Sequence, residues 1–494
     1  MITFKQFISE TVIDNFQDMW EKALYNSEEL RVALDLMANI KALFPSGEIY
    51  IVGGVPRDLL LGNDIDDVDL ATNIPFAELK KHFSLHNISK NDTQPVYTIR
   101  HNHYNFDLAK FREDIKGIEG RQNNISTETD SFEADTKRRE LTINSFGLDE
   151  TGQIVDYQNG IDDLNNKIIR AVGDAKERFK EDATRILRVF RFAAKMNFDI
   201  DPDTLRAAQD MQYLLSDKAA ISMESISKEF YKSAKTGKTL SNFLSNLQSA
   251  GILHRILPEF LGMEGMTHDP QHHPEGGSTV LGHIHACLQV SPYKDPVINL
   301  AVLFHDFGKA TTRGIKPNGQ SNYHGHEAAG VPIVQGIFNR LRFSELSAQD
   351  KKNILSAVKY HMLVHNLEQL NIKTLRRLIL DPSWGTVKAT AYCDEASRGP
   401  ALFNANNFWL KIQNAENQIH NIGRDQDEVR LKVKKYVDGN KLMEWFPVIK
   451  SNPMVLKDIL AELQDYILTE LDAGREPDEE TIKYITRNHL GTSV

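Results

Sequence analysis

Ile51-Val-Gly-Gly-Val-Pro-Arg-Asp-Leu-Leu-Leu-Gly62, followed closely by Asp66-Asp-Val-Asp-Leu-Ala-Thr72, decides how the chain is read. Glu48-Ile-Tyr-Ile-Val52 has the composition of a short strand. Gly53-Gly54 ends it, and Pro56 fits the first turn of a helix carrying Leu59, Leu60 and Leu61. A strand that turns through glycines into a helix lets backbone approach phosphate and offers N–H groups at a helix start. Arg57, in that turn, is a candidate to hold a triphosphate oxygen. Asp67 and Asp69 flank Val68, and alternate residues of a strand share a face. Both carboxylates then point one way, with Val68 and Leu70 towards the core. Two carboxylates at one spot repel, and a divalent cation relieves the repulsion. A pair of Mg²⁺ ions there would activate an attacking hydroxyl and stabilise a departing pyrophosphate. Taken alone, Asp-x-Asp also fits a polar edge strand, and Gly-Gly with an arginine also fits an ordinary strand–helix turn.

Further strands are expected at Asp67–Ala71, Tyr97–Arg100, Asn105–Phe111 and Leu141–Leu148. Asp107, in Asn105-Phe-Asp-Leu-Ala-Lys-Phe-Arg112, is either a third carboxylate near the metals or a surface residue. Segment 113–136 is polar and aperiodic and reads as a mobile loop. Residues 1 to about 45 read as helical, on Phe4, Phe7 and Ile8 and then on Leu30 to Met37. From Asp174 onward almost everything reads as helix, with joints at Gly160, Gly262–Gly277 and Arg398-Gly-Pro400. On one such helix Arg178, Asp182, Arg185 and Arg188 form a polar stripe interrupted by Val189 and Phe192. Phe179, Ala183, Ile186, Leu187, Phe190 and Ala194 lie opposite. An Asp and an Arg side by side can read the pairing edge of a base, or simply form a salt-bridged solvent face.

The whole chain sets limits. Its 494 residues suggest three or four units. A net charge of -10 argues against coating nucleic acid by bulk charge, so RNA contact needs a local basic stripe. The only cysteines, Cys287 and Cys393, exclude a disulfide framework and fit a reducing cytoplasm. No apolar run suits a bilayer, and Met1–Glu10 lacks the pattern of a signal peptide.

The glycine turn and Asp67-Val-Asp-Leu-Ala-Thr72 resemble the head of class II CCA-adding enzymes and bacterial poly(A) polymerases. Arg138-Arg-Glu-Leu-Thr-Ile-Asn144, Gly160-Ile-Asp-Asp-Leu-Asn-Asn-Lys-Ile-Ile-Arg170 and Glu181-Asp-Ala-Thr-Arg-Ile-Leu-Arg188 resemble that family's later motifs, in order. The resemblance implies an α+β fold: a small polymerase-β-like nucleotidyltransferase head, then a long all-helical neck, body, HD and tail array. The expected segments are a helical extension at 1–45, head at 46–165, neck and body at 166–265, an HD domain at 266–400 and a tail at 401–494. It implies catalytic roles for Asp67, Asp69 and Asp107, with Mg²⁺ on the first two. It implies nucleotide contacts from Gly53, Gly54, Arg57, Arg139, Asp182, Arg185 and Arg188, with Asp182 and Arg185 on the base. Pro56, Glu140 and Thr184 depart from the family's usual residues, and Glu140 does so with a longer reach than the usual aspartate.

A second constellation is rich in histidine: residues 268–365 hold 10 of the chain's 17. His283 and His285 share a predicted helix, His305-Asp306 ends an apolar run, and Asp394 lies in Ala391-Tyr-Cys-Asp394. Adjacent His and Asp on a buried helix can flank one metal. This resembles the HD domain, a metal-dependent phosphohydrolase module, with His285, His305, Asp306 and Asp394 as ligands and His283 as rival for the first place. The expected metal is Ni, Mn, Zn, Fe or Mg²⁺. His326 and His361 are expected to support the ligands or to bind phosphate. His272-His-Pro-Glu-Gly276 resembles the loop leading into this module, and Val437-Asp-Gly-Asn-Lys-Leu-Met443 the family's C-terminal region.

The resemblance implies addition of CCA, from CTP and ATP, to tRNA 3′ ends by a cytoplasmic monomer or homodimer without membrane contact. HD phosphohydrolysis of RNA ends or nucleotides would accompany it. Other readings are a poly(A) polymerase or an A-only or C-only adder, mainly an HD phosphohydrolase acting on RNA ends, and a non-catalytic RNA-binding protein.

Overall fold

The strand that ends at Gly53 lies inside a seven-stranded sheet. The computed structural model describes residues 16–491 except 66, 90–94, 115–125, 217–219, 268–278, 318–320 and 452. The expected helix through Phe4, Phe7 and Ile8 and the loop at His272–Gly276 lie outside the described residues. The strands are β1 (Ile49–Val52), β2 (Asp69–Thr72), β3 (Leu85–Asn87), β4 (Val96–His101), β5 (Tyr104–Lys110), β6 (Arg112–Asp114), β7 (Ser126–Glu128), β8 (Gly147–Leu148) and β9 (Ile154–Val155). Their order in the sheet is β3-β4-β5-β2-β1-β8-β9. Only β2 and β5 pair in parallel there, which sets Asp69 opposite Asp107.

Helices α1 (Phe16–Asn26) and α2 (Glu28–Leu43) precede the sheet. The Ser27 side chain accepts from Leu30 N–H and starts α2, which buries Leu30, Ala33, Leu36, Met37 and Ile40 at helical spacing. Helix α3 (Gly54–Leu60) follows β1. The segment 113–136, expected as a loop, contains part of the β6–β7 hairpin and an Ser131-capped helix, Phe132–Lys137. The strand expected at Leu141–Leu148 shrinks to β8, and Thr142–Asn144 is a 3₁₀ turn. Local polar groups hold that turn: Ser145 Oγ donates back to Leu141 O at 2.7 Å, and Thr142 Oγ1 donates to Asp163 at 2.7 Å.

Among the described residues beyond the head, the elements are helical apart from two short strand pairs. The chain divides into two compact units. One runs to Met362 and takes in Gly385–Phe403; the other comprises Leu363–Trp384 and Asn404–Val494. The second has its own core, in which Ile459, Leu463 and Ile467 recur every four residues beside Val433, Val437, Leu442, Ile449 and Ile482. No helix among the described residues is long and apolar enough to cross a membrane.

In the first unit the helix Thr184–Met196 packs on Met223–Ser233. Arg191 of the former pairs with Glu229 of the latter at 2.5 Å, both buried, and the guanidinium lies 4.2 Å from the Phe192 ring centre. Removing Arg191 leaves the buried Glu229 only the weaker Lys232 contact at 3.7 Å; breaking a buried pair costs about 3–5 kcal/mol, whereas replacing both partners by apolar residues is often neutral. Arg191→Met is therefore expected to lower the thermal transition followed by circular dichroism, and Arg191→Met/Glu229→Met to recover most of the loss.

Candidate active site and metal centre

Asp67 is in the left-handed region at φ 52°, a conformation that aspartate tolerates better than most residues. It therefore precedes the strand, contrary to the expected Asp67–Ala71, and β2 begins at Asp69. The alternation nonetheless runs through both: Asp67 and Asp69 are exposed, Val68 and Leu70 buried. Val68 N–H donates to Glu29 Oε1 at 3.4 Å, a link from α2 to the residue between the two aspartates. Thr98 Oγ1 donates to Asp107 Oδ1 at 3.0 Å. Partial burial, then the Asp107 and Asp67 charges, push the Asp69 carboxyl up to about 6, with Arg139 acting in the opposite direction. The three carboxylates form one electrostatic group.

Gly53, at φ 78°, ends β1 where a side chain would be strained and its Cβ would lie 3.4 Å from Asp69 Oδ2. Beside it lies Arg57, expected as a phosphate contact. Its guanidinium is buried, donating to both oxygens of Asp58 at 3.1 and 2.6 Å and to Asn144 Oδ1, and lies 5.3 Å from the Phe192 ring centre. These bonds use three of its five N–H groups and join the glycine turn to Asn144, with Phe192 beside the guanidinium.

Arg139 donates to Asp135 Oδ2 at 2.8 Å. Burial opposes the Asp135 charge, but Arg139 and Arg138 hold its carboxyl below the usual range. The expected single helix through Arg178 and Arg188 is broken. One helix, Ala175–Glu181, ends at Asp182, which is extended, and the next begins at Thr184. The Asp182 carboxylate accepts from Thr184 N–H at 2.9 Å, a local bond that competes with helix continuation. Arg185 donates to Glu181 and, at 3.1 Å, to Arg138 O. Arg188 donates to Glu140 Oε1 at 2.5 Å, and Glu140 also accepts from Asn144 Nδ2 at 3.2 Å. The extra methylene of Glu140 thus spans head and neck. Val189 and Phe192, which interrupted the polar stripe, are buried.

The histidine-rich centre is buried. His283, on the helix Val280–Val290, places Nε2 at 3.1 Å from Asp394 Oδ1 and 3.6 Å from Asp306 Oδ2. His285, expected as the first ligand, instead faces the helix Gly237–Ser249, where its Nδ1 lies 3.0 Å from Ser241 Oγ. Residues two apart on a helix diverge by about 200°, so one helix cannot aim both inward. His283 shares the buried stripe of Val280, Ile284 and Cys287, a spacing readable from the sequence. Ligand atoms of His283, Cys287, His305 and Asp394 all lie within 4.8 Å of one another, as do those of Asp306, His326 and His361.

His305 Nδ1 donates to Val302 O at 2.7 Å, and its buried Nε2, 3.3 Å from Asp306 Oδ2, makes no hydrogen bond of good geometry. Such an orphaned nitrogen suits a metal ligand whose other nitrogen is fixed by a carbonyl. Burial opposes the Asp306 charge, yet positive charge on His305 and Lys309 holds its carboxyl well below the usual range. Burial, then the His305 charge, pushes His361 down to about 3, so it is a neutral lone-pair donor. Lys309 Nζ lies 2.6 Å from Asp306 Oδ2; its spacing in His305-Asp-Phe-Gly-Lys309 was the overlooked signal. Gly308 has no room for a side chain, since a Cβ would meet His326 O at 1.9 Å. This close approach sets His326 against Asp306.

Comparison with known proteins bears on both centres. Residues 49–170 match the poly A polymerase head domain, and residues 282–386 match the HD domain. The CCA-adding enzyme of Streptococcus gordonii is 40% identical over 204 residues, which are 41% of this chain and 50% of that protein. The chain therefore spans about half the length of such relatives. The multifunctional CCA protein of Laribacter hongkongensis is 32% identical over 363 residues, 72% of this chain and 82% of that protein. The chain belongs to the multifunctional CCA protein family. A crystal structure of the Bacillus stearothermophilus CCA-adding enzyme in complex with CTP shares the fold, with TM-score 0.56 and 20% identity over 94% of this chain and 98% of that one.

In this family member, the head match holds the three carboxylates and Arg139, while Asp182, Arg185 and Arg188 follow it. The HD match holds His283, His305, Asp306, His326 and His361, while Asp394 lies beyond it. The raised Asp69 carboxyl gives a signed expectation. Its folded value exceeds the ordinary one, so the metal-free head loses stability from about pH 4 to about pH 6 as that proton leaves. A divalent cation needs the ionised form. Mg²⁺ affinity measured calorimetrically should rise with pH through about 6 and then level off, and Asp107→Asn should shift that rise to lower pH.

Proposed function

We propose that the protein adds C, C and A, from CTP and ATP, to the 3′ ends of tRNA, with phosphohydrolysis at the HD centre. The observation that carries this reading is the carboxylate group of Asp67, Asp69 and Asp107 on and beside the parallel pair β2–β5, against the Gly53 turn. Relatives named CCA-adding enzyme and multifunctional CCA protein support it. Three crowded carboxylates suit Mg²⁺, held by Asp67 and Asp69 with Asp107 beside them. Mg²⁺ would lower the barrier to attack by the RNA 3′ hydroxyl and neutralise the departing pyrophosphate.

The chain's own groups choose and place the substrate. Asp182 supplies acceptors and Arg185 donors at the break between the neck helices, suited to the pairing edges of cytosine and adenine. Asp182 now accepts from Thr184 N–H and Arg185 is held by Glu181 and Arg138 O, so a base exchanges for those partners. Arg139 and Arg188 flank the site, and the Arg188 Nε is buried without a hydrogen-bond partner. At the HD centre His283, His305, Asp306 and Asp394 fit a divalent transition metal by donor chemistry and by the orphaned His305 Nε2. That metal would supply a nucleophilic water for a phosphate ester at an RNA end or on a nucleotide. A cytoplasmic location accords with the two buried free cysteines.

The test uses tRNA lacking its CCA end, Mg²⁺, and each nucleotide singly and together. CTP then ATP incorporation that stops at CCA is expected; long A tails would refute CCA addition. Asp67→Ala should reduce incorporation by more than the roughly 10- to 100-fold typical of losing an outer partner of a metal site. Hydrolysis of a 2′,3′-cyclic phosphate should survive Asp67→Ala and disappear in Asp306→Ala.

A further inference from the structure

Val68 lies between Asp67 and Asp69 but outside the sheet's ladder, whose first pairs here are Val52–Asp69 and Asp69–Asp107. Its N–H therefore needs an acceptor from elsewhere. Glu29, half-buried near the start of α2, provides one through Oε1 at 3.4 Å. The Asp67–Val68 peptide is planar, so holding this N–H holds ψ of Asp67 and φ of Val68 together. Those two angles set the directions of the flanking carboxylates. Asp67 is at φ 52°, a conformation that persists only where the surroundings hold it. The Val68 side chain is buried, which anchors the same residue from the core side.

Helix α2 is itself tied to the rest of the carboxylate group. Asp35 Oδ2 lies 2.7 Å from His101 Nε2, and Glu28 Oε2 accepts from the Tyr104 hydroxyl at 3.3 Å. Glu28 and Asp35 are two turns apart, so one face of α2 meets the β4–β5 turn. Strand β5 starts at Tyr104 and carries Asp107. At the other end of α2, Lys41 Nζ donates to Gly47 O at 2.7 Å, just ahead of β1 and the Gly53 turn. Met19 of α1 closes the same side, since a Cβ on Gly62, in the chain between α3 and Asp67, would lie 3.3 Å from its Sδ. Both helices precede the head match, which begins at residue 49.

We infer that α2 braces the three carboxylates and that Glu29 is a positioning residue, acting on a cation at Asp67 and Asp69 through the Val68 peptide and not by touching it. The inference rests on the reading of those two aspartates as Mg²⁺ ligands. What Glu29 contributes is an acceptor at one point, and the neutral amide oxygen of glutamine supplies the same acceptor without the charge. The two substitutions therefore separate position from field.

The test compares Glu29→Ala with Glu29→Gln on the full chain, with Asp67→Ala as the reference for Mg²⁺ held by the head. Hydrogen–deuterium exchange over residues 63–72, read without metal, should quicken in Glu29→Ala and stay at the parent rate in Glu29→Gln. By calorimetry, the Asp67-dependent Mg²⁺ affinity should fall about tenfold in Glu29→Ala, the low end of the loss on removing an outer partner of a metal site, and hold in Glu29→Gln. The Mg²⁺ concentration for half-maximal CTP incorporation should rise in step, with KM for tRNA unchanged. Circular dichroism and the thermal transition report whether each variant folds. A folded Glu29→Ala with the parent's exchange rate and Mg²⁺ affinity would overturn the positioning role. So would a Glu29→Gln that falls as far as Glu29→Ala, since Glu29 would then act by charge alone. Mg²⁺ binding indifferent to Asp67→Ala would overturn the metal reading instead, and the exchange rates would still decide whether Glu29 holds Val68.

Discussion

A buried guanidinium is the constraint on which the head depends. Arg57 carries a full charge among apolar side chains, and such a charge is tolerated only when paired and hydrogen-bonded. Asp58 and Asn144 meet that requirement, and Phe192 covers the group. These partners come from three parts of the chain: the helix after the glycine turn, the 3₁₀ turn after Arg139, and the neck. Satisfying one cation therefore fixes where the turn, the carboxylate strand beside it and the neck stand. Glu140 adds a parallel link, since it holds Asn144 with one contact and Arg188 with another.

Much of this was legible in the sequence because it follows local rules. The strand–glycine–helix order, the exposed Asp67 and Asp69 around buried Val68, and the helical tail all follow periods of two or of about 3.6 residues. What escaped depended on side-chain hydrogen bonds, some of them to partners distant in the chain. The bond from Arg57 to Asn144 was not readable because nothing near Arg57 announces it. Asp182 read as helical because a side-chain bond to a neighbouring N–H is invisible to periodicity. Leu141–Leu148 read as a strand although its hydroxyls and amide bond inward to form a turn.

The histidine centre shows the same division. His305 and Asp306 were readable from adjacency at the end of an apolar run. The choice between His283 and His285 turned on which face of one helix is buried, and the alignment of His283 with Cys287 carried that information. Lys309 lay in plain sight three residues after Asp306. The pairing of His326 with His361 is a tertiary fact, produced by glycine contacts between segments that share no sequence pattern.

The bonds from His305, His326 and His361 to carbonyls three residues upstream have an evolutionary consequence. Each ring is held by a carbonyl of its own local backbone. Neighbouring residues can therefore drift with less tilting of the imidazoles, because part of each ring's anchor travels with its own segment of chain. Such a centre is modular: its chemistry can be retuned through the pocket wall while the nitrogen geometry is inherited unchanged.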